Sequence, residues 1–233
     1  MSTIAANLQA VEATIGAACT SAGRARNEVQ LLAVSKTFPA EAVVEAMAAG
    51  QRAFGENYLQ EALDKMQEVA RLQPATPVEW HFIGPIQSNK TRPIAAHFDW
   101  VHTVERLKIA QRLSEQRPPE LGPLDICLQV NISGEASKSG AGEDELPELA
   151  RQVAALPNLR LRGLMAIPER ANDEAQQRAA FARLRALFDA LRAQGMALDT
   201  LSMGMSGDLG AAIAEGATIV RVGSAIFGAR NYE

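Results

Sequence analysis

Lys36 closes the run Leu31-Leu32-Ala33-Val34-Ser35-Lys36. An amine at the end of an apolar strand is partly desolvated, which favours its neutral form, and a neutral amine attacks a carbonyl carbon to give a Schiff base. A lone lysine is more often a solvated one, so the reading of Lys36 depends on what accompanies it. The run Val220-Arg221-Val222-Gly223-Ser224-Ala225-Ile226-Phe227-Gly228 sets an arginine inside an apolar strand, followed by Gly-Ser and a short helical turn. Gly223 admits close backbone approach, and the amides that follow can point at a phosphate. Arg221 alternates with Val220 and Val222, so it turns inward if the valines pack outward. An arginine paired with a buried carboxylate for structure is the equal alternative. In Leu201-Ser202-Met203-Gly204-Met205-Ser206-Gly207-Asp208, Ser206 is expected to cap a helix over Asp208–Glu215, where an open amide adds a second phosphate contact. Asn57 in Gly55-Glu56-Asn57 and His81 in Trp80-His81-Phe82 fall near strand ends, and His81 reads as a structural histidine. There is no HExxH, P-loop or nucleophile elbow.

These residues must be carried by elements, and the chain alternates two kinds of segment. Short β-type runs occupy Leu31–Val34, Ala53–Gly55, Trp80–Ile83, Trp100–Thr103, Ile126–Asn131, Leu161–Ala166, Thr200–Met203 and Ile219–Val222. Between them apolar residues recur at helical spacing: Leu59, Leu63 and Met66; Leu146, Leu149, Val153 and Leu156; Phe181, Leu184, Phe188 and Leu191. Leu8, Val11 and Ile15 mark an extra helix before the first strand. Eight strands alternating with helices imply parallel pairing with right-handed crossovers. The expectation is one domain, a (β/α)8 TIM barrel with an extra N-terminal helix; an open doubly wound sheet is the alternative. In a barrel Lys36 and the two C-terminal loops share the carboxyl face, where sites form. The Gly- and Ser-rich stretch Asn131–Glu143 is expected on that same face.

Composition narrows the classes. Lys plus Arg total 23 and Asp plus Glu 27, a net charge of −4, which argues against a general nucleic-acid binder. The two cysteines, Cys19 and Cys127, form no CxxC, exclude a disulfide framework, and read as small core residues of a reduced, cytoplasmic protein. No run of 18 apolar residues suggests a membrane span, and no signal peptide is visible.

Longer runs carry a resemblance. Leu32-Ala33-Val34-Ser35-Lys36-Thr37, Phe54-Gly55-Glu56-Asn57-Tyr58, Trp80-His81-Phe82-Ile83-Gly84-Pro85-Ile86-Gln87-Ser88-Asn89-Lys90, Gly163-Leu164-Met165-Ala166-Ile167 and the two C-terminal runs above stand in order along the chain. The chain resembles the pyridoxal phosphate homeostasis protein family, stand-alone barrel relatives of alanine racemase. The resemblance implies a barrel holding pyridoxal 5′-phosphate (PLP), with an internal aldimine on Lys36. It also implies a phosphate held around Ser206, Gly223 and Ser224, and Arg221 facing the pyridine nitrogen. Asn57 belongs to the implied cofactor site. PLP needs an amine, an anion site and a group at the ring nitrogen, and these residues supply all three. An arginine there is always charged and accepts no proton, so the ring stays unprotonated and is a weaker electron sink. The family usually has an acidic residue where this chain has Gly210.

Alanine racemases use a second domain that supplies an opposing tyrosine; this chain has only Tyr58 and Tyr232, and neither is expected to play that part. The implied role is a monomeric, non-enzymatic PLP carrier or regulator, with apo-PLP enzymes as recipients. A small PLP enzyme with weak racemase or lyase activity is the alternative, and a Schiff-base aldolase-type barrel without PLP a third. Lys138, in the loop after the fifth strand, is a candidate second amine for handing PLP over, although a solvated loop lysine is the commoner case.

Overall fold

A computed structural model describes residues 3–133 and 139–229. Eight strands, β1 (Gln30–Val34), β2 (Ala53–Glu56), β3 (Glu79–Phe82), β4 (Trp100–Val104), β5 (Leu124–Gln129), β6 (Leu159–Met165), β7 (Thr200–Ser202) and β8 (Ile219–Val222), close in chain order into one barrel. Neighbouring strands are parallel, and β8 returns to β1 with Leu32 opposite Arg221. The helices are α1 (Thr3–Ser21), α2 (Ala40–Ala48), α3 (Leu59–Leu72), α4 (Thr91–His97), α5 (Leu107–Gln116), α6 (Leu146–Ala154), α7 (Glu174–Ala193), α8 (Leu209–Ala214) and α9 (Ser224–Phe227). The barrel and the N-terminal helix are as the residue pattern predicts.

The strands are short and apolar because both of their faces are buried. One set of side chains, including Leu32, Val34, Ile83, Trp100, Cys127, Met165 and Ile219, packs inside the bore. The alternate set, including Leu31, Ala33, Val101, Ile126, Leu128, Val220 and Val222, joins the helices in the outer core. Helical stripes meet it: Leu8, Val11, Ile15 and Cys19 from α1, and Phe181, Leu184, Phe188 and Leu191 from α7. Gly163 is required where β6 meets β7, since a Cβ there would stand 1.7 Å from the Thr200 carbonyl oxygen. At the amino mouth Arg162 bonds Asp125 and Asp199 and lies 4.7 Å from the centre of the Trp100 ring.

Some boundaries differ from the pattern. β5 starts at Leu124 and stops at Gln129; the next residue, Val130, still donates to the Met165 carbonyl of β6 at 2.9 Å but also forms an isolated bridge with Ala141. The buried face of α3 is Ala62, Lys65 and Val69 rather than a stripe through Leu63. The helix expected over Asp208–Glu215 is the shorter α8. Among the described residues no helix is long and apolar enough to cross a membrane, and no cluster of His, Cys, Asp and Glu suits a metal ion.

Candidate functional site

A cavity of about 530 Å³ opens at the carboxyl ends of the strands. Its lining brings together all six residues singled out in the sequence: Lys36, Asn57, Ser206, Arg221, Gly223 and Ser224. The volume suits a small organic ligand. Asp208, Arg170 and Ile167 also line it, and none of them was a site candidate in the sequence.

Lys36 stands two residues beyond the end of β1, and its ammonium lies 6.0 Å from the centre of the Tyr58 ring. The turn beyond it is built with care. Thr37 takes a left-handed φ of 69°, an unfavourable conformation for a β-branched residue. Its amide donates to Glu61 Oε1 at 2.6 Å, and the Phe38 amide returns to the Ser35 carbonyl at 3.1 Å. Behind this turn lies a buried cluster. Lys65 Nζ donates to Glu56 Oε1 at 2.7 Å, to Glu61 Oε1 at 2.9 Å and to the Ser35 carbonyl at 2.8 Å. The Ser35 hydroxyl donates to Glu56 Oε1 at 2.6 Å. Burial pushes the Glu56 carboxyl up from its ordinary value, against the pull of Lys65. The residues flanking Lys36 and Asn57 are thus tied to one interior cation.

Asn57 follows β2. Gly84 packs on it so closely that a Cβ at Gly84 would stand 2.2 Å from the Asn57 carbonyl oxygen. The side-chain Oδ1 of Asn57 is buried and meets no hydrogen-bond donor among the described residues.

Arg221 points into the bore, since Val220 and Val222 belong to the outer core. Its guanidinium donates to Ser202 Oγ at 2.9 Å and to the Ala166 carbonyl at 3.1 Å, and it has no ion pair with a carboxylate among the described residues. Burial pushes its pKa down to about 10, opposed by the nearby Asp208 carboxylate, so it stays cationic at neutral pH. Of the two readings left open by the strand pattern, the buried structural ion pair is therefore not the one formed. Burial also pushes the Cys127 thiol up, in keeping with an inert core residue.

Ser206 does not cap α8. The residue before that helix is Asp208, whose Oδ1 accepts from the Met205 amide at 2.6 Å instead. That contact folds Met205–Asp208 into a tight turn and leaves Ser206 facing the cavity. In α9 the Ile226 and Phe227 amides return to the Gly223 carbonyl at 2.9 and 3.0 Å, while earlier amides of any helix lack an intrahelical acceptor. Gly210 is exposed, and a Cβ there would meet nothing within 4 Å, so an acidic side chain at that place would reach into solvent. Lys138 and Tyr232 lie outside the described residues.

The residues that the sequence did not single out are Ser202 and His102 in the bore and Glu56 and Lys65 beneath Lys36. His81, read as a structural histidine, is indeed buried and fully hydrogen-bonded.

Comparison with known proteins agrees with this fold. The model of the alanine racemase N-terminal domain matches residues 6–231. A pyridoxal phosphate homeostasis protein of Pseudomonas aeruginosa is 66% identical over 232 residues, covering 100% of this chain and 98% of the relative. One from Escherichia coli K12 is 55% identical, covering 100% and 99%. The structure of PipY from Synechococcus elongatus with PLP bound superposes with a TM-score of 0.84 at 38% identity, covering 97% of this chain and 100% of PipY. An alanine racemase from Corynebacterium glutamicum, at 18% identity and a TM-score of 0.70, shares the fold over 59% of its own length. With relatives more than half identical over its whole length, the chain belongs to the pyridoxal phosphate homeostasis protein family.

Proposed function

We propose that this chain binds PLP at the carboxyl mouth of its barrel, with Lys36 as the covalent anchor, and serves intracellular PLP homeostasis as a carrier or regulator. The observation that carries the reading is the convergence of Lys36, Arg221 and the Ser206 and Gly223 turns on one cavity. The residues fit the group: an amine for the aldehyde, two turns of small residues for the phosphate, and a buried cation for the ring nitrogen. The orphaned Asn57 Oδ1 offers an acceptor for a ring substituent.

Bound PLP supplies an aldehyde that bonds reversibly to amines and a ring that draws electrons from them. Lys36 holds the cargo, while Ser206, Gly223 and Ser224 orient its phosphate. With PLP bound, Arg221 would donate a hydrogen bond to the ring nitrogen and give up no proton, so the ring would remain a weak electron sink. That suits storage and delivery better than turnover, and apo-PLP enzymes are the recipients this reading implies. We place the protein in the cytoplasm as a monomer.

The test is borohydride reduction of PLP-loaded protein followed by peptide mass spectrometry. The expected adduct sits on Lys36 and is absent in Lys36→Ala. Adducts spread over surface lysines, with none on Lys36, would overturn the assignment. Incubation of the same loaded protein with amino acids checks the carrier reading, which predicts no racemisation or elimination above that of PLP in buffer.

A further inference from the structure

Five side chains thread the bore of the barrel, each within hydrogen-bond reach of the next. Arg221 Nη1 lies 2.9 Å from Ser202 Oγ, which lies 2.7 Å from His102 Nδ1. His102 Nε2 lies 2.8 Å from His81 Nδ1, and His81 Nε2 lies 2.7 Å from Glu79 Oε1. The line starts at the cavity wall and ends at the first residue of β3, at the amino mouth, where the Glu79 side chain is 41% exposed. His81, His102 and Ser202 are fully buried between.

Hydrogen placement follows from the donor inventory. A guanidinium only donates, so Ser202 Oγ accepts from Arg221. The Ser202 hydroxyl hydrogen then has one acceptor among its described partners, His102 Nδ1. Burial holds His102 well below the ordinary imidazole range, so it is neutral and its single hydrogen sits on Nε2. That hydrogen faces His81 Nδ1, which must accept, and the His81 hydrogen on Nε2 goes to the Glu79 carboxylate. Every donor points the same way, from the cation to the anion, and each bond polarises the next. The reverse direction would aim two donors at Ser202 Oγ and orphan its hydrogen inside the bore. The rings are also held: His81 stacks on Trp100 at 5.4 Å and 8°.

We propose that Ser202, His102, His81 and Glu79 are positioning residues, a one-way hydrogen-bond relay that fixes the Arg221 guanidinium and joins the ring-nitrogen end of the cofactor cavity to the opposite mouth of the barrel. The cofactor side of this inference rests on the reading of Arg221 given above; the relay itself does not. It explains how a buried arginine without an ion pair is stabilised, and it makes Glu79, which does not line the cavity, part of how that cavity presents its cation.

The test has one arm without cofactor. Long-range proton–nitrogen NMR on apo protein with labelled histidine should show His81 and His102 both with the hydrogen on Nε2 at pH 7. Glu79→Ala should disturb the His102 nitrogen shifts as well as those of His81, and Glu79→Gln, which keeps an acceptor, should restore them. A hydrogen on His102 Nδ1, or His102 shifts untouched by Glu79→Ala, would overturn the relay whether or not the protein binds PLP. In the second arm, Ser202→Ala removes one buried atom beside Arg221. It should weaken PLP binding about ten-fold and move the visible band of the bound cofactor. Wild-type affinity and spectrum in a folded Ser202→Ala protein would overturn the link to the cavity, while failure of the wild-type protein to bind PLP would instead sink the function proposed above.

Discussion

The ammonium of Lys65 donates to the carbonyl oxygen of Ser35 at 2.8 Å, so a cation buried in α3 grips the residue immediately before Lys36. The same ammonium pairs with Glu56, the residue immediately before Asn57. One interior charge thus sets the height of both β1 and β2 residues at the cavity floor. Removing one partner of a buried pair leaves the other uncompensated, which costs about 3–5 kcal/mol. Lys65→Met should therefore lower the unfolding free energy by that amount in urea titrations. The double variant Lys65→Met/Glu56→Gln should recover part of it. A loss of less than about 1 kcal/mol in the single variant would mean that the cluster does not hold the floor in place.

Gly84 is the second support of the site. A Cβ there cannot coexist with the Asn57 carbonyl at 2.2 Å, so Gly84→Ala must push the Asn57 segment away from β3. Overpacking of this kind costs about 1–3 kcal/mol. The expected outcome is a folded protein of reduced stability whose PLP affinity falls further than that of Asn57→Ala. Equal affinities in the two variants would show that Asn57 acts through its side chain alone.

The fold was legible because its signals are local. The eight short β-type runs alternate with segments of helical period, and the Phe181, Leu184, Phe188, Leu191 stripe needs no partner to be seen. Lys36, Arg221 and Gly223 were legible for the same reason, as odd residues at strand ends. Lys65 was not, because a lysine on a polar helix is nearly always a solvated one and only its tertiary partners make it a core residue. The relay was invisible for a stricter reason: Ser202 and His102 stand 100 residues apart and meet across the bore, so no spacing encodes them. Ser206 was misread as a cap because the competing acceptor, Asp208 Oδ1, takes the Met205 amide and re-aims the turn.

The phosphate is expected between the Met205–Asp208 turn and the start of α9. Gly223→Val places a branched side chain in that space. Each charge-assisted contact is worth about 1.5–3 kcal/mol, so losing one should weaken PLP binding about ten-fold or more while pyridoxal, which lacks the phosphate, is affected little. Fluorescence titrations with both vitamers measure the difference. A parallel loss for the two would move the phosphate away from this loop.

The buried imidazole of His102 makes stability depend on pH in a defined direction. Burial above all, with the Arg221 cation nearby, holds it well below its ordinary value of 6.5. The unfolded chain takes up a proton there below about pH 6.5 and the folded chain does not, so the unfolded state binds more protons and stability falls as the pH falls. One such proton gives a slope approaching about 1.4 kcal/mol per pH unit. The carboxyls of Asp99 and Asp125, pushed up mainly by burial, titrate in the opposite sense. They are common to wild type and His102→Gln, so the informative quantity is the difference between the two proteins. Wild type should be the more stable at pH 7, where its relay is intact, and its advantage should shrink by about 1 kcal/mol by pH 5.5. Urea unfolding at the two pH values measures it. A pH-independent difference would mean that His102 takes up its proton equally well in the folded protein, which a donor fixed between Ser202 and His81 does not allow.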